Sequence, residues 1–331
     1  MAADRAVDTR VRVGSVELAH AVMTAAGTSG HGAELARYCD LSGLGAVVVK
    51  SLSVMPWPGN PAPRLHPLPD GMINSVGLQG PGVAGWFDEF FPELVTSRCR
   101  VVISLWGRSL DEYRQAALAV ADGLRRAGRA ADGVVAVEVN LSCPNLEGRR
   151  GIFAHDAELS AAVIDASVAA MSGATRPVWA KLSPNTDRLV EIAGAVRGAG
   201  AEAVTLVNTV LGLVLDPETG RAVLGNGGGG VSGRIIHPVA QRAVFDVASA
   251  HPDLPIVGVG GVSSAAEAVA LLQAGASAVQ VGTATFADPR APATVARDLV
   301  TWAAAHGITR LSDLTGVAHR GGIHPLPPAQ G

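Results

Sequence analysis

Residues 134–145 read "VVAVEVNLSCPN". The first seven form a β-branched, almost continuous apolar run, and beyond Asn140 the chain turns polar, with Ser142, Cys143, Pro144 and Asn145 in quick succession. A strand that is apolar on both faces belongs in a parallel sheet covered on both sides. Cysteine is usually buried as a small hydrophobe, yet this one follows the point where the strand leaves the core, and Pro144 cannot continue a ladder. What the cysteine does there depends on the sheet that owns the strand.

Outward from this stretch, similar runs recur at about 20–26 ("HAVMTAA"), 46–50 ("AVVVK"), 101–105 ("VVISL"), 177–182 ("PVWAKL"), 203–208 ("AVTLVN"), 255–260 ("PIVGVG") and 278–282 ("AVQVG"). Amphipathic, Ala-rich stretches such as "SLDEYRQAALAVADGLRRAG", "TDRLVEIAGAVRGAG" and "SSAAEAVALLQAGA" lie between them, with glycines placed as helix C-caps. Eight strands, each followed by a helix or a long excursion, predict an α/β fold of the (β/α)8 TIM-barrel type. An open doubly wound sheet rarely needs eight such units in about 280 residues. The expected organisation is one domain over 1–331. Excursions are expected at about 51–85, 141–156 and 210–233, with a short flexible C-terminal tail. The segment 51–85 holds seven prolines and reads as an irregular lid or binding loop. The third excursion ends in "GNGGGGVSG", where glycine allows backbone to approach a ligand closely.

Composition sets limits. With 48% hydrophobic residues the chain can bury a large core, and a net charge of −3 gives no general reason to expect nucleic acid or an anionic membrane surface. No apolar run approaches the roughly 20 residues of a membrane helix, and "MAADRAVDTR" lacks the apolar core of a secretory signal. Three cysteines without a CxxC spacing point to a reducing, cytoplasmic compartment, with Cys39 and Cys99 as packing residues. No HExxH or clustered ligand set suggests a metal.

Of 26 basic residues only Lys50 and Lys181 are lysines. In a barrel the active site lies at the C-terminal strand ends. Those ends read Ala25-Ala26, Lys50-Ser51, Ser104, Asn140 with Cys143, Lys181, Asn208-Thr209, Gly260-Gly261 and Gly282-Thr283. Both lysines and three of the seven asparagines, counting Asn145, fall on that rim. The glycines after the seventh and eighth strands suit a phosphate site. A thiolate at Cys143 is able to act as nucleophile or as general base. A nucleophile wants an activating histidine; His155, on the same loop, reads as a solvated side chain, which favours the general base.

With these residues assembled, the chain resembles the class 1 dihydroorotate dehydrogenases, the NAD-linked subclass more than the fumarate-linked one. The resemblance runs through "VMTAAGT", "GAVVVKS", "PGNPAPRL", "MINSVGLQGPG", "VEVNLSCPN", "AKLSPN", "VNTVLGL", "GGVSG", "VGVGGV" and "VQVGTATF". It implies one FMN that oxidises dihydroorotate to orotate in pyrimidine synthesis, and it matches Cys143 to the catalytic base, removing a proton from C5 while hydride leaves C6 for flavin N5. Lys50, Asn74, Gly77, Leu78, Asn140, Asn145, Asn208 and Thr209 match substrate positions. Ala25, Ala26, Lys50, Ser51, Asn140, Lys181, Val207, Gly233, Gly260, Gly261, Gly282 and Thr283 match FMN contacts, with Lys181 near flavin N1 and O2. The subclass implies a homodimeric core and a separate subunit bearing FAD and a [2Fe–2S] cluster, for which three cysteines are one ligand short. It also implies cysteine rather than the serine base of membrane-associated, quinone-linked relatives.

The chain departs from the family pattern at Ser104 and Gly80, where asparagine is usual, and at Ala26, where serine is common. The loop "LEGRRGIFAHD" lacks a Gly-Gly-Met-Ala-Phe-Gly run and adds Arg149 and Arg150. These departures leave open an FMN oxidoreductase acting on another dihydropyrimidine or related ring. The lysine pair and the glycine cradle alone would permit a flavin-free barrel isomerase or lyase of a sugar phosphate, against which "NLSCPN" with "AKLSPN" argues, and a non-catalytic binding barrel is a third option.

Overall fold

The computed structural model describes residues 7–142, 144–145 and 151–323, the pairs 144–145 and 151–152 as backbone only. Cys143, Arg149, Arg150 and the expected C-terminal tail from 324 onward lie outside the described residues. Eight parallel strands occupy Val22–Thr24, Val47–Val48, Val101–Leu105, Val134–Asn140, Val178–Lys181, Ala203–Leu206, Ile256–Val259 and Ala278–Val281. Every one falls inside an expected apolar run. They pair in the order first, eighth, seventh, sixth, fifth, fourth, third, second. Two hydrogen bonds join the remaining edges, from Thr24 N–H to the Ala46 carbonyl (3.2 Å) and from Gly45 N–H to the Val22 carbonyl (2.7 Å), so the sheet closes into a barrel. Closure removes the unpaired edges of an open sheet.

Helices cover the outside because the chain supplies both an apolar face and caps. In the helix Leu110–Ala127, Ser109 accepts from the Glu112 amide, while Tyr113, Ala117, Val120 and Leu124 face the barrel. Gly128, at φ +54°, ends it. Ser264 caps Ala265–Ala274 in the same way, and Gly275 at φ +130° closes that helix. Among the described residues no helix is long and apolar enough to cross a membrane. Cys39 is half-buried and Cys99 buried, and burial pushes both thiols up, as suits inert packing residues.

The excursions are more ordered than the sequence suggested. Leu65–Leu68 and Gly71–Asn74 form a hairpin, which joins Gly229–Gly233 and Val210–Gly212 in a four-stranded antiparallel sheet over the barrel mouth. Two prolines flanking and entering "LHPL" hid the strand, since Pro67 is tolerated only because Leu65–Leu68 is an edge. The glycine run serves this sheet first. A Cβ on Gly230 would stand 2.1 Å from Thr209 Oγ1, and one on Gly229 would stand 2.5 Å from the Asn74 carbonyl oxygen. The close approach expected toward a ligand is, at these two positions, an approach to the protein's own backbone and side chains.

His20 precedes the first strand, 6% exposed, and its Nδ1 accepts from the Val22 amide at 3.0 Å. Burial lowers its pKa from 6.5 to about 4. The unfolded chain therefore takes up this proton at a higher pH than the folded one. The stability held above pH 6.5 should drain away as the pH falls toward 4, by about 3 kcal/mol in all. Melting temperatures measured across that window should fall more steeply for the wild type than for His20→Gln. Parallel curves would refute the assignment.

Candidate active site

At the C-terminal ends of the strands lies a cavity of ≈ 290 Å³. Of the residues singled out in the sequence, Ala25, Ala26, Lys50, Asn74, Gly77, Leu78, Asn140, Lys181, Val207, Asn208, Thr209, Gly233, Gly260, Gly261, Gly282 and Thr283 line it. Ser51 does not; its hydroxyl lies behind the wall, 2.9 Å from that of Ser104. Cys143 is outside the described residues, and of Asn145 only the backbone is described, paired with Gly151.

The two lysines differ in their surroundings. Lys181 ends the fifth strand in register with Asn140, is 6% exposed, and has its Nζ 3.8 Å from Glu138 Oε1. At an effective dielectric of 20 such a pair attracts by roughly 4 kcal/mol, much of it offset by desolvation. Lys50, on the loop after the second strand, has no carboxylate partner among the described residues. Burial, and then the charge of Lys181, lower its pKa. Gly27 makes room for its ammonium: at φ +82° it carries no Cβ, which would sit 3.0 Å from Nζ. An anion entering the cavity would therefore meet a desolvated ammonium that still lacks a counter-charge.

Neutral amides form the next layer. Asn140 Nδ2 donates to Ser51 Oγ at 3.4 Å, and Asn140 Oδ1 accepts from Asn208 Nδ2 at 3.1 Å and from the Ser142 amide at 3.2 Å. Asn208 Oδ1 in turn receives the Thr209 amide at 2.8 Å. Below them, the buried Tyr113 hydroxyl donates to the Asn140 carbonyl at 2.6 Å. Asn140, at the end of the fourth strand, and Asn208, just beyond the sixth, are thus fixed to each other before any ligand arrives.

At the other end of the cavity the walls are backbone. Gly260 and Gly261, at φ +138° and +71°, follow the seventh strand, and a Cβ on Gly261 would lie 2.7 Å from His237 Cβ. His237 Nδ1 is 2.9 Å from the Gly260 carbonyl, which ties this turn to the helix His237–Ala250. Gly282 faces Ala25, and Thr283 Oγ1 donates to Ser232 Oγ at 2.9 Å. A bare backbone cradle of this kind suits a phosphate group.

The first excursion closes the side of the cavity. Trp57 Nε1 donates to the Gly77 carbonyl at 3.0 Å, and a Cβ on Gly77 (φ +74°) would come within 2.5 Å of Asn60. Leu78 takes a left-handed φ of +61°, a conformation costing about 1–2 kcal/mol for a residue with a Cβ. The Arg108 guanidinium stacks 4.6 Å from the Trp57 ring, and Trp106 meets the same ring edge-on, which stiffens this wall.

Among the residues that sequence reasoning passed over, two matter most to this site. Asn185 lines the cavity, donating through Nδ2 to Ser183 Oγ (2.9 Å) and the Thr209 carbonyl (3.0 Å) and accepting the Leu211 amide at Oδ1 (2.9 Å). The available signal was the repeat of Pro-Asn in "SCPN" and "LSPN" after adjacent strands. Glu138 was passed over as part of an apolar run; it is fully buried, and it underlies Lys181. One expectation is corrected. His155 is half-buried, with Nε2 buried and without a partner among the described residues, because the turn Phe153–His155 packs beneath Leu141. Burial lowers its pKa.

Comparison with known proteins agrees over nearly the whole chain. The family model for dihydroorotate dehydrogenase matches residues 9–302. The catalytic subunit of dihydroorotate dehydrogenase B (NAD(+)) from Desulforudis audaxviator (strain MP104C) is 42% identical over 318 residues, covering 96% of this chain and 99% of that protein. The subunit of the same name from Geobacter sp. (strain M21) is 40% identical over 309 residues, covering 93% of this chain and 97% of its own length. The chain belongs to the dihydroorotate dehydrogenase family.

Proposed function

We propose that this chain oxidises (S)-dihydroorotate to orotate in pyrimidine biosynthesis, holding one FMN in the barrel mouth. The observation that carries the reading is the meeting, in one cavity, of two lysines and two linked asparagines with a glycine cradle. The residues fit the cofactor: backbone at Gly260, Gly261, Gly282 and Gly233 for its phosphate, and Lys50 and Lys181 for the polar edge of its ring. Bound FMN supplies the two-electron acceptor for a hydride.

The protein's share of the chemistry is to hold and deprotonate. Cys143, as thiolate, takes the C5 proton; the C6 hydride departs, and a C5–C6 double bond forms. Asn140, Asn208 and Asn74 meet the amide edges of the pyrimidine without adding charge, joined on our reading by Asn145. Lys50 meets the substrate carboxylate, and the anion restores the counter-charge its burial withholds. Ser51 supports Asn140 from behind. If Arg149 or Arg150 pairs with that carboxylate, replacing both with alanine will raise KM or lower kcat/KM; unchanged kinetics is the result for a solvated pair.

The electron outlet follows from the relatives, which are named catalytic subunits. We assign it to a separate subunit carrying FAD and a [2Fe–2S] cluster, since three cysteines do not supply the four ligands. A homodimeric core and a cytoplasmic setting complete the proposal. Its test is anaerobic mixing of the purified protein with L-dihydroorotate while the flavin band is followed. Rapid bleaching supports it. A yellow protein bleached only by another dihydropyrimidine would shift the substrate, an outcome that Ser104, turned toward Ser51 and away from the cavity, would help to explain. A colourless protein that takes up no added FMN overturns it.

A further inference from the structure

Beneath the cavity floor, the fourth, sixth and eighth strands each place a polar residue inside an apolar run: Glu138, Thr205 and Gln280. All three are buried, at 0%, 0% and 1% exposure. Alternate strands contribute the side chains of one interior layer in such a barrel, and here that layer is a carboxylate with two donors. Glu138 Oε2 accepts from Thr205 Oγ1 at 2.9 Å and from Gln280 Nε2 at 3.0 Å. Its other oxygen, Oε1, accepts no hydrogen bond among the described residues and lies toward Lys181 Nζ at 3.8 Å.

That geometry is unusual for a purely structural carboxylate. A buried acid kept for packing would have both oxygens satisfied, because each orphaned acceptor costs stability. Here one oxygen is anchored twice. The other stands too far from the ammonium for a hydrogen bond and near enough for a strong, weakly screened charge interaction. The anchoring fixes where the negative charge sits, and the gap leaves the Lys181 N–H donors free to point upward, into the cavity. Lys50 has no such counter-charge among the described residues, so the two ammoniums present unequal fields to whatever lies between them.

We propose that Glu138 is a positioning and tuning residue that sets the reduction potential of the bound flavin through Lys181. The proposal rests on the reading of Lys181 as the lysine beside the flavin ring. A hydride would bring two electrons and one proton to the flavin, so on that reading negative charge would develop beside Lys181. The full positive charge of Lys181 would favour that state strongly. A carboxylate fixed 3.8 Å behind the ammonium tempers the effect, keeping the flavin reducing enough to pass its electrons onward.

The sign of the response separates this role from a merely structural one. If Glu138 tempers Lys181, Glu138→Gln should raise the midpoint potential of the bound FMN, whereas Lys181→Met should lower it. If Glu138 only props Lys181 in place, removing it would displace the lysine, and both variants would shift downward together. The experiment is dye-coupled anaerobic potentiometry on the FMN-loaded wild type, Glu138→Gln, Glu138→Asp and Lys181→Met. The expected result for Glu138→Gln is a ten- to hundredfold shift of the equilibrium toward reduced flavin, about 30–60 mV for a two-electron couple. Glu138→Asp keeps the charge but draws it back by one methylene, and its potential should lie between those of Glu138→Gln and the wild type. It also supplies the test if the glutamine variant does not fold. An unchanged or lowered potential in the Glu138 variants, with Lys181→Met lowered, overturns the proposal and spares the reading of Lys181. An unchanged potential in Lys181→Met overturns that reading and the proposal with it.

Discussion

Changing Cys143 to alanine will leave FMN bound and slow its bleaching by L-dihydroorotate about 10²- to 10⁴-fold, the usual span for losing a general base. The expectation rests on where the described chain delivers this residue. The fourth strand is held to the fifth up to Asn140, and the Leu141 amide donates to the Lys181 carbonyl at 3.1 Å. The Ser142 amide donates to Asn140 Oδ1 at 3.2 Å, so the residue just before the cysteine is fastened to the asparagine network that lines the cavity. On the far side of the loop, the Ala154 amide returns to the Leu141 carbonyl at 2.9 Å. The chain therefore leaves and rejoins the barrel mouth at one point. Cys143→Ser should also be slow near neutral pH and recover as the pH rises, because a hydroxyl ionises far less readily than a thiol. An alanine variant that bleaches as fast as the wild type would remove Cys143 from the chemistry.

Gly261→Ala will cost the protein its cofactor while leaving the barrel folded. At φ +71° a Cβ is strained by about 1–2 kcal/mol, and this one would also stand 2.7 Å from His237 Cβ and 3.0 Å from the Gly233 carbonyl oxygen. Neither neighbour is the far end of a flexible side chain, so the turn itself must move. Charge-assisted hydrogen bonds from backbone to phosphate contribute about 1.5–3 kcal/mol each. Displacing two of them should weaken FMN binding by at least about 100-fold. Gly43→Ala is the matched control, since a Cβ there meets nothing within 4 Å. Fluorescence titration of the apoproteins with FMN reads both. Equal affinity for Gly261→Ala and wild type would show that the turn does not carry the phosphate.

Much of this site was legible because its residues are conspicuous in a chain of this composition. Two lysines among so many arginines, asparagines at strand ends and glycines after the last two strands mark the cavity without any contact being known. Barrel strands were legible for a related reason: strands buried on both faces read as unbroken apolar runs. What stayed hidden was whatever depends on pairing across long separations. The sheet over the mouth joins residues near 70 to residues near 230, and neither partner has a strong pattern alone, one being rich in proline and the other in glycine. Glu138 and Gln280 were overlooked for the opposite reason. Each interrupts a good strand by a single polar residue, and only the closed barrel reveals that the two side chains meet. Asn185 sat within a quoted motif, yet its three hydrogen bonds go to residues whose proximity the sequence does not display.

The scarcity of lysine has a practical consequence. Both ε-amines of this chain line the cavity, and the outer surface is left to arginine, which amine-reactive reagents do not modify. Acylating dyes, amine-coupled sensor chips and lysine crosslinkers would thus report on the cavity and on the N-terminal α-amine. Burial lowers the pKa of Lys50, which favours its free, nucleophilic amine toward such reagents. Covalent labelling should be fast in the apoprotein and suppressed once ligand fills the mouth. A crosslinking search for the proposed partner subunit would need carboxylate- or arginine-directed chemistry instead.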